Sequence, residues 1–181
     1  LGLSGQPISG ADIGGFLFNA DADLFGNWIG FGAFYPFARG HACAGTNNKE
    51  PWAFGKEVED ASRIALERRY ILLPYFYTLM HEASTNGMPI MRPVFFSDPK
   101  DLSLRAEEEA FLIGDDLLII PAFASQPALP KGIWKELSLV NGDTNDKYQA
   151  KMKIRGGSII PTGKIIQNTT ESSLDPLTLL V

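Results

Sequence analysis

The sequence predicts two kinds of structure in succession. Residues 1–88 read as strands and helices of a (β/α)8 TIM barrel, and residues 89–181 as an antiparallel β-sandwich domain. Three observations carry this reading. Two apolar approaches, Pro7-Ile8 and the run 31–37, each end in polar residues: Asp12 in the first case, Arg39 and His41 in the second. Neighbouring barrel strands do the same where they present side chains at one rim. A long apolar pattern of helical period follows, and after Gly87 it gives way to short β-rich runs between turn clusters.

In chain order, residues 1–16 read as a short strand and its rim loop. Its end is a lone carboxylate, Asp12, followed by Gly14, Gly15 and Phe16. A buried strand does not end on Asp unless a charge or an acceptor is needed there, and the glycines allow a sharp turn and close approach of a ligand. Asn19, Asp21 and Asp23 are candidate N-caps for a helix through Leu24, Trp28, Ile29 and Phe31. Trp28 and Phe31 are expected to pack in the core. Gly30, Gly32 and Pro36 are expected to break that helix before Phe37, and 42–49 is small, polar and loop-like.

The clearest helix starts near Glu57. Val58, Ala61, Ile64 and Ala65 recur at helical spacing, and Glu57, Glu59 and Asp60 complement the dipole of the first turn. Apolar positions continue from Ile71 to Ala83, with Pro74 inside the pattern, so a kink or a junction of two helices is expected there. Asn86-Gly87 marks the stop. The aromatics Tyr70, Tyr75, Phe76 and Tyr77 are read as core, not as a sugar platform.

Beyond Gly87 the run 89–96 is extended by proline geometry and bulky side chains. Strands are expected within 117–123, 134–140, 148–154, 158–160 and 177–181, with Asn141-Gly142-Asp143 as a hairpin-type turn. Glu107-Glu108-Glu109 reads as a solvated face of a short helix or turn. Asn168-Thr169-Thr170 is a formal glycosylation sequon, meaningful only in a protein secreted by a eukaryote.

Composition narrows the function. Hydrophobic residues make up 45% of the chain, as in a protein with a packed core. A net charge of −5 gives no footprint for nucleic acid or an anionic membrane surface. No run of 18 apolar residues predicts a transmembrane helix. The single cysteine, Cys43, excludes an internal disulfide framework and leaves the compartment open. His41 and His81 lack metal-ligand spacing, so no metal is expected, and GADIGG (10–15) is not a phosphate cradle, so no cofactor is expected either. The chain starts on Leu1, close to a strand-end motif, and is read as a piece of a longer protein.

Seven motifs occur in a fixed order: GADIGGF (10–16), GAFYPFARGH (32–41), EPWAFG (50–55), ERRYILLPYFYTL (67–79), PIMRPVFF (89–96), FLIGDDLLIIPAF (111–123) and RGGSIIP (155–161). Together they closely resemble glycoside hydrolase family 31, the α-glucosidase and α-xylosidase family, over essentially the whole chain. The resemblance implies a retaining α-glycosidase that removes terminal α-linked glucose from oligosaccharides or glucans. Within the family, α-xylosidase and α-glucan lyase share the scaffold, and a non-catalytic carbohydrate-binding module on it is the reading from another class. Retaining hydrolysis needs two carboxyl groups roughly 5–5.5 Å apart. The family takes both from motifs upstream of GADIGGF that are not in this chain, so no catalytic residue is expected here and the isolated chain is expected to be inactive and poorly stable.

What the resemblance implies for this segment is substrate binding. His41 matches the histidine that hydrogen-bonds sugar hydroxyls in the subsite of the cleaved residue. Phe16 matches the aromatic flanking the leaving sugar. Asp12 orients the site through hydrogen bonds or an ion pair, or touches substrate, and Arg39 is expected as an ion-pair partner behind the site and not as a direct sugar ligand. Trp52 either lines the pocket or packs. The small polar run 42–48 departs from commoner family versions, and loops at this rim set specificity, so the preferred sugar stays open. The implied partners are the oligosaccharide or glucan substrate and the remainder of the parent polypeptide.

Overall fold

The computed structural model describes residues 1–171 and 177–181. Helix α1 (Ala22–Gly32) starts where Asp21 accepts a hydrogen bond from Leu24 N at 2.8 Å, so Asp21 is the cap among the three candidates. The helix buries Phe25 and Ile29 against Val58, Ala61 and Ala65 of helix α2 (Lys56–Ile71). Gly30 and Gly32 do not break it. A Cβ on Gly30 would lie 1.8 Å from the Tyr148 carbonyl oxygen, so this glycine serves close packing against the β-rich half. Trp28 and Phe31 are half-buried at the margins of two apolar clusters.

The expected strand over 31–37 does not form. Phe31 and Gly32 close α1, and Ala33 N, Phe34 N and Tyr35 N donate back to Ile29, Phe31 and Gly32 carbonyls in a tight turn. Helical spacing of the buried Phe25 and Ile29 captures the first residues of the run, and Pro36 removes a donor that a strand would use. Likewise residues 1–16 hold only a short 3-10 turn (Gly2–Ser4) and a single parallel bridge, Ile13 to Gly40. That bridge is the barrel-like pairing of the two rim segments.

Helix α2 ends at Ile71, capped by Leu72, and helix α3 (Leu73–Asn86) begins with Pro74 in its first turn, which resolves the expected kink as a junction. The Ile71 carbonyl left over at that junction accepts from Gly163 N at 2.8 Å. Tyr75 and Phe76 are buried as expected, whereas Tyr77 is exposed.

Strands β1 (Met91–Pro93), β2 (Phe111–Ile113), β3 (Leu117–Ile120), β4 (Trp134–Leu137) and β5 (Lys151–Arg155) form one antiparallel sheet in the order β1-β2-β3-β5-β4. Strands β6 (Ile160–Thr162) and β7 (Thr178–Leu180) form a second, two-stranded sheet. Phe111, Ile113, Leu117, Ile119 and Met152 face Leu72, Tyr75, Phe76 and Leu79 of the helices. Leu112, Leu118 and Ile120 face the opposite way, onto Val94 and Leu104. Both faces are therefore covered, which is why β2 and β3 read as continuous apolar runs without alternation.

The acidic triplet is a solvated face only in part: Glu108 is exposed, whereas its two neighbours are engaged. Glu109 accepts from Ser125 N and Gln126 N at 3.0 Å, and Glu107 from Ala128 N, so both carboxylates hold the loop after β3. Asn141-Gly142-Asp143 does turn, but inside the long connection 138–150 and not as a tight hairpin.

Candidate functional site

The rim is built from two segments, 9–16 and 37–43, laid side by side. Phe37 N donates to the Ser9 carbonyl at 3.1 Å, Ile13 N to the Arg39 carbonyl at 2.8 Å, and Cys43 N to the Phe16 carbonyl at 2.9 Å. Gly10 allows this approach, since a Cβ there would sit 2.0 Å from the Phe37 carbonyl oxygen and 3.0 Å from Tyr35 Cβ. A Gly10→Ala change in the complete protein is expected to cost about 1–3 kcal/mol, because a backbone atom has no rotamer by which to yield. Thermal melting checks it, and an unchanged midpoint would show that the two segments do not meet this closely.

The turn out of the first segment needs Gly14 and Gly15, at φ +81° and +82°. Beyond it Phe18, 83% exposed, takes φ +63°, a conformation that costs a bulky residue about 1–2 kcal/mol. Sequence patterning had no signal for this strained, open aromatic. Lys49 Nζ donates to the Gly15 carbonyl at 2.5 Å, and Asn47 N to Asn19 Oδ1 at 2.8 Å, so the polar loop 42–49 is tied onto the same turn.

These contacts bring four of the five predicted residues together. Arg39 reaches Asp12 Oδ1 through Nε at 2.9 Å and Nη2 at 2.8 Å, leaving Oδ2 without an arginine contact. The guanidinium also lies 5.3 Å from the Phe37 ring centroid. The Phe16 and His41 rings sit 5.4 Å apart at a 30° tilt, both open to solvent. Trp52 stands apart on the 3-10 turn Pro51–Phe54, with 68% of its surface exposed. It does not pack. Phe54 fills that role instead, stacking on Phe25 at 4.4 Å.

Behind the rim lies a residue that sequence reasoning passed over. Arg69, at the end of α2, donates to the carbonyls of Ala33, Tyr35 and Pro36 at 2.7, 2.6 and 3.2 Å. Desolvation pushes its guanidinium pKa down. Nothing in a side-chain pattern announces a partner that is backbone. Among the described residues no cluster of His, Cys, Asp and Glu is arranged to hold a metal ion, and no helix is long and apolar enough to cross a membrane.

Parallel-paired segments whose following loops gather a carboxylate, a guanidinium, an imidazole and an aromatic face are the rim of an α/β-barrel protein. Residues 1–79 match the family model of the glycosyl hydrolases family 31 TIM-barrel domain, and residues 87–160 that of the family 31 C-terminal domain. The chain belongs to glycoside hydrolase family 31. It is similar over its whole length to a family 31 α-glucosidase from Bacteroides thetaiotaomicron, at 88% identity and a TM-score of 0.90, and spans 29% of that chain. A Flavobacterium johnsoniae family 31 dextranase complexed with glucose is 31% identical over 98% of this chain and 24% of its own, with a TM-score of 0.85. A probable glucan 1,3-alpha-glucosidase of Arabidopsis thaliana is 38% identical over all of this chain and 21% of its own length. The chain thus spans about a fifth of the curated relatives it matches.

Proposed function

We propose that this chain is the sugar-binding end of a retaining α-glucosidase that releases terminal α-linked glucose from oligosaccharides or glucans. On this reading residues 1–88 complete the catalytic barrel and 89–181 form the domain that braces it. The observation that carries the proposal is the convergence of Asp12, Arg39, Phe16 and His41 on one open rim, in a chain similar throughout to α-glucosidases. An imidazole both donates and accepts, which suits vicinal sugar hydroxyls. The Phe16 ring offers a flat apolar face to the C–H patches of a pyranose. Asp12 Oδ2 is available as an acceptor while Oδ1 is held by Arg39. Trp52, exposed and unpacked, offers a separate apolar face to a longer glucan.

Asp12 is the one carboxylate on the two rim segments, and retention requires a nucleophile and an acid/base. Both come from the remainder of the parent polypeptide. The test is an aryl α-glucoside assay on the complete parent and on residues 1–181 alone. The parent should turn over and release α-glucose, and the isolated chain should not exceed buffer. Turnover by the isolated chain would overturn the division of labour. A parent that binds glucose but hydrolyses no α-glycoside would be a carbohydrate-binding protein instead.

A further inference from the structure

A helix leaves its last carbonyls unpaired, and these carry the negative end of its dipole. Here α1 runs straight into the turn 33–36, whose carbonyls need donors in turn. Arg69 supplies them from another helix. Its Nη1 is shared between the carbonyls of Ala33 and Tyr35, its Nη2 reaches that of Pro36, and its guanidinium lies 5.0 Å from the Phe76 ring centroid. The planar fork is thereby fixed on one side by an aromatic face and on the other by three oxygens. The next residue, Phe37, begins the pairing with Ser9, and that pairing continues to Ile13 and Arg39. Each link from Arg69 to the rim is thus a backbone contact, with no flexible side chain between them.

We infer that Arg69 is a positioning residue for sugar binding: it anchors the turn 33–36 so that Arg39 and His41 arrive opposite Asp12 and Phe16. This rests on the reading of the rim given above. A lysine keeps the charge but is a single point donor, and it cannot span three carbonyls in one plane. A glutamine can serve one carbonyl and carries no charge.

The test is a double-mutant cycle in the complete parent enzyme, with Arg69→Lys, Arg69→Gln, His41→Ala and the two combinations. Misplacing a binding group by an ångström is enough to lower kcat/KM roughly 10–100-fold, and that is the loss expected for each Arg69 variant. The decisive readout is additivity. If Arg69 acts through His41, the combined variants lose little more than His41→Ala alone. Losses that multiply would show that Arg69 does not act through His41, and a role confined to stability predicts that Arg69→Lys lowers the melting temperature and leaves kcat/KM of the folded enzyme intact. Either result would overturn the inference while His41 stays in the site. If His41→Ala itself turns over normally, the reading of the rim falls and the inference with it.

Discussion

Replacing Arg68 by alanine in the complete protein is expected to cost about 3–5 kcal/mol, the range for removing one partner of a buried charged network. Arg68 is 1% exposed, on the inner face of α2. It donates through Nη1 to Gln149 Oε1 at 2.9 Å and through Nη2 to the Ala150 carbonyl at 2.6 Å. Its Nε lies 3.7 Å from Asp143 Oδ2, and Phe34 flanks the guanidinium at 5.0 Å. Burial pulls its pKa down to about 10, with Asp143 and Asp146 opposing, so it stays charged at neutral pH. Asp143 is itself held by Ser138 Oγ at 2.6 Å and Leu139 N at 2.9 Å, and Gln149 Nε2 returns to the Ala61 carbonyl at 2.8 Å. Truncation would strand a buried carboxylate and two acceptors at once. Thermal melting is the measurement, with Arg63→Ala as comparison. Arg63 meets Glu59 at 3.3 Å on the exposed side of the same helix, and a surface pair of this kind contributes only about 0.3–0.5 kcal/mol. Equal melting shifts for the two variants would mean that the buried network does not brace the β-rich half.

The second large effect is catalytic. On the function proposed above, His41→Ala in the complete protein is expected to lower kcat/KM by about 2–4 kcal/mol, the value for removing one preorganised donor. That is a loss of roughly 30- to 1000-fold. A hydrogen bond that tightens as the sugar ring distorts supports the transition state more than the ground state, so the fall should show in kcat as well. The imidazole is exposed, with the Phe16 ring 5.4 Å away, so its removal leaves no cavity and the melting temperature should hold. A depressed melting temperature with normal turnover would take His41 out of the site.

Local chemistry made the helices legible in the sequence. Asp21 caps α1, Pro74 marks the α2–α3 junction and Gly87 ends α3, each because one residue type satisfies a local backbone demand. That Asp12 and Arg39 would need charged partners was also legible, because a charge at the end of an apolar run is costly unless a partner answers it there; that they answer each other came from the structure. Strand β2 was not, because Phe111, Leu112 and Ile113 form a run of only three apolar residues, too short to stand out as a strand. The run 31–37 misled for the opposite reason: its apolar residues satisfy a helix end and a turn as well as a strand. Arg69 and Glu109 escaped because their partners are main-chain carbonyls and amides. Such partners have no letter in a sequence, so no spacing rule points to them.

The Arg68 bridge also constrains how the protein is made. Arg68 and Gln149 are 81 residues apart. At the usual pace of synthesis, roughly 5–20 residues per second, α2 leaves the ribosome about 4–16 s before its partner exists. Over that interval an unpaired guanidinium and the apolar side of α3 wait for strands not yet translated. The buried network around Arg68 is therefore completed late, once residues 143–150 have emerged. In the cell this interval is a window for chaperones. A ribosome that stops between residues 88 and 143 releases a chain whose rim sequence is complete and whose Arg68 has no buried partner.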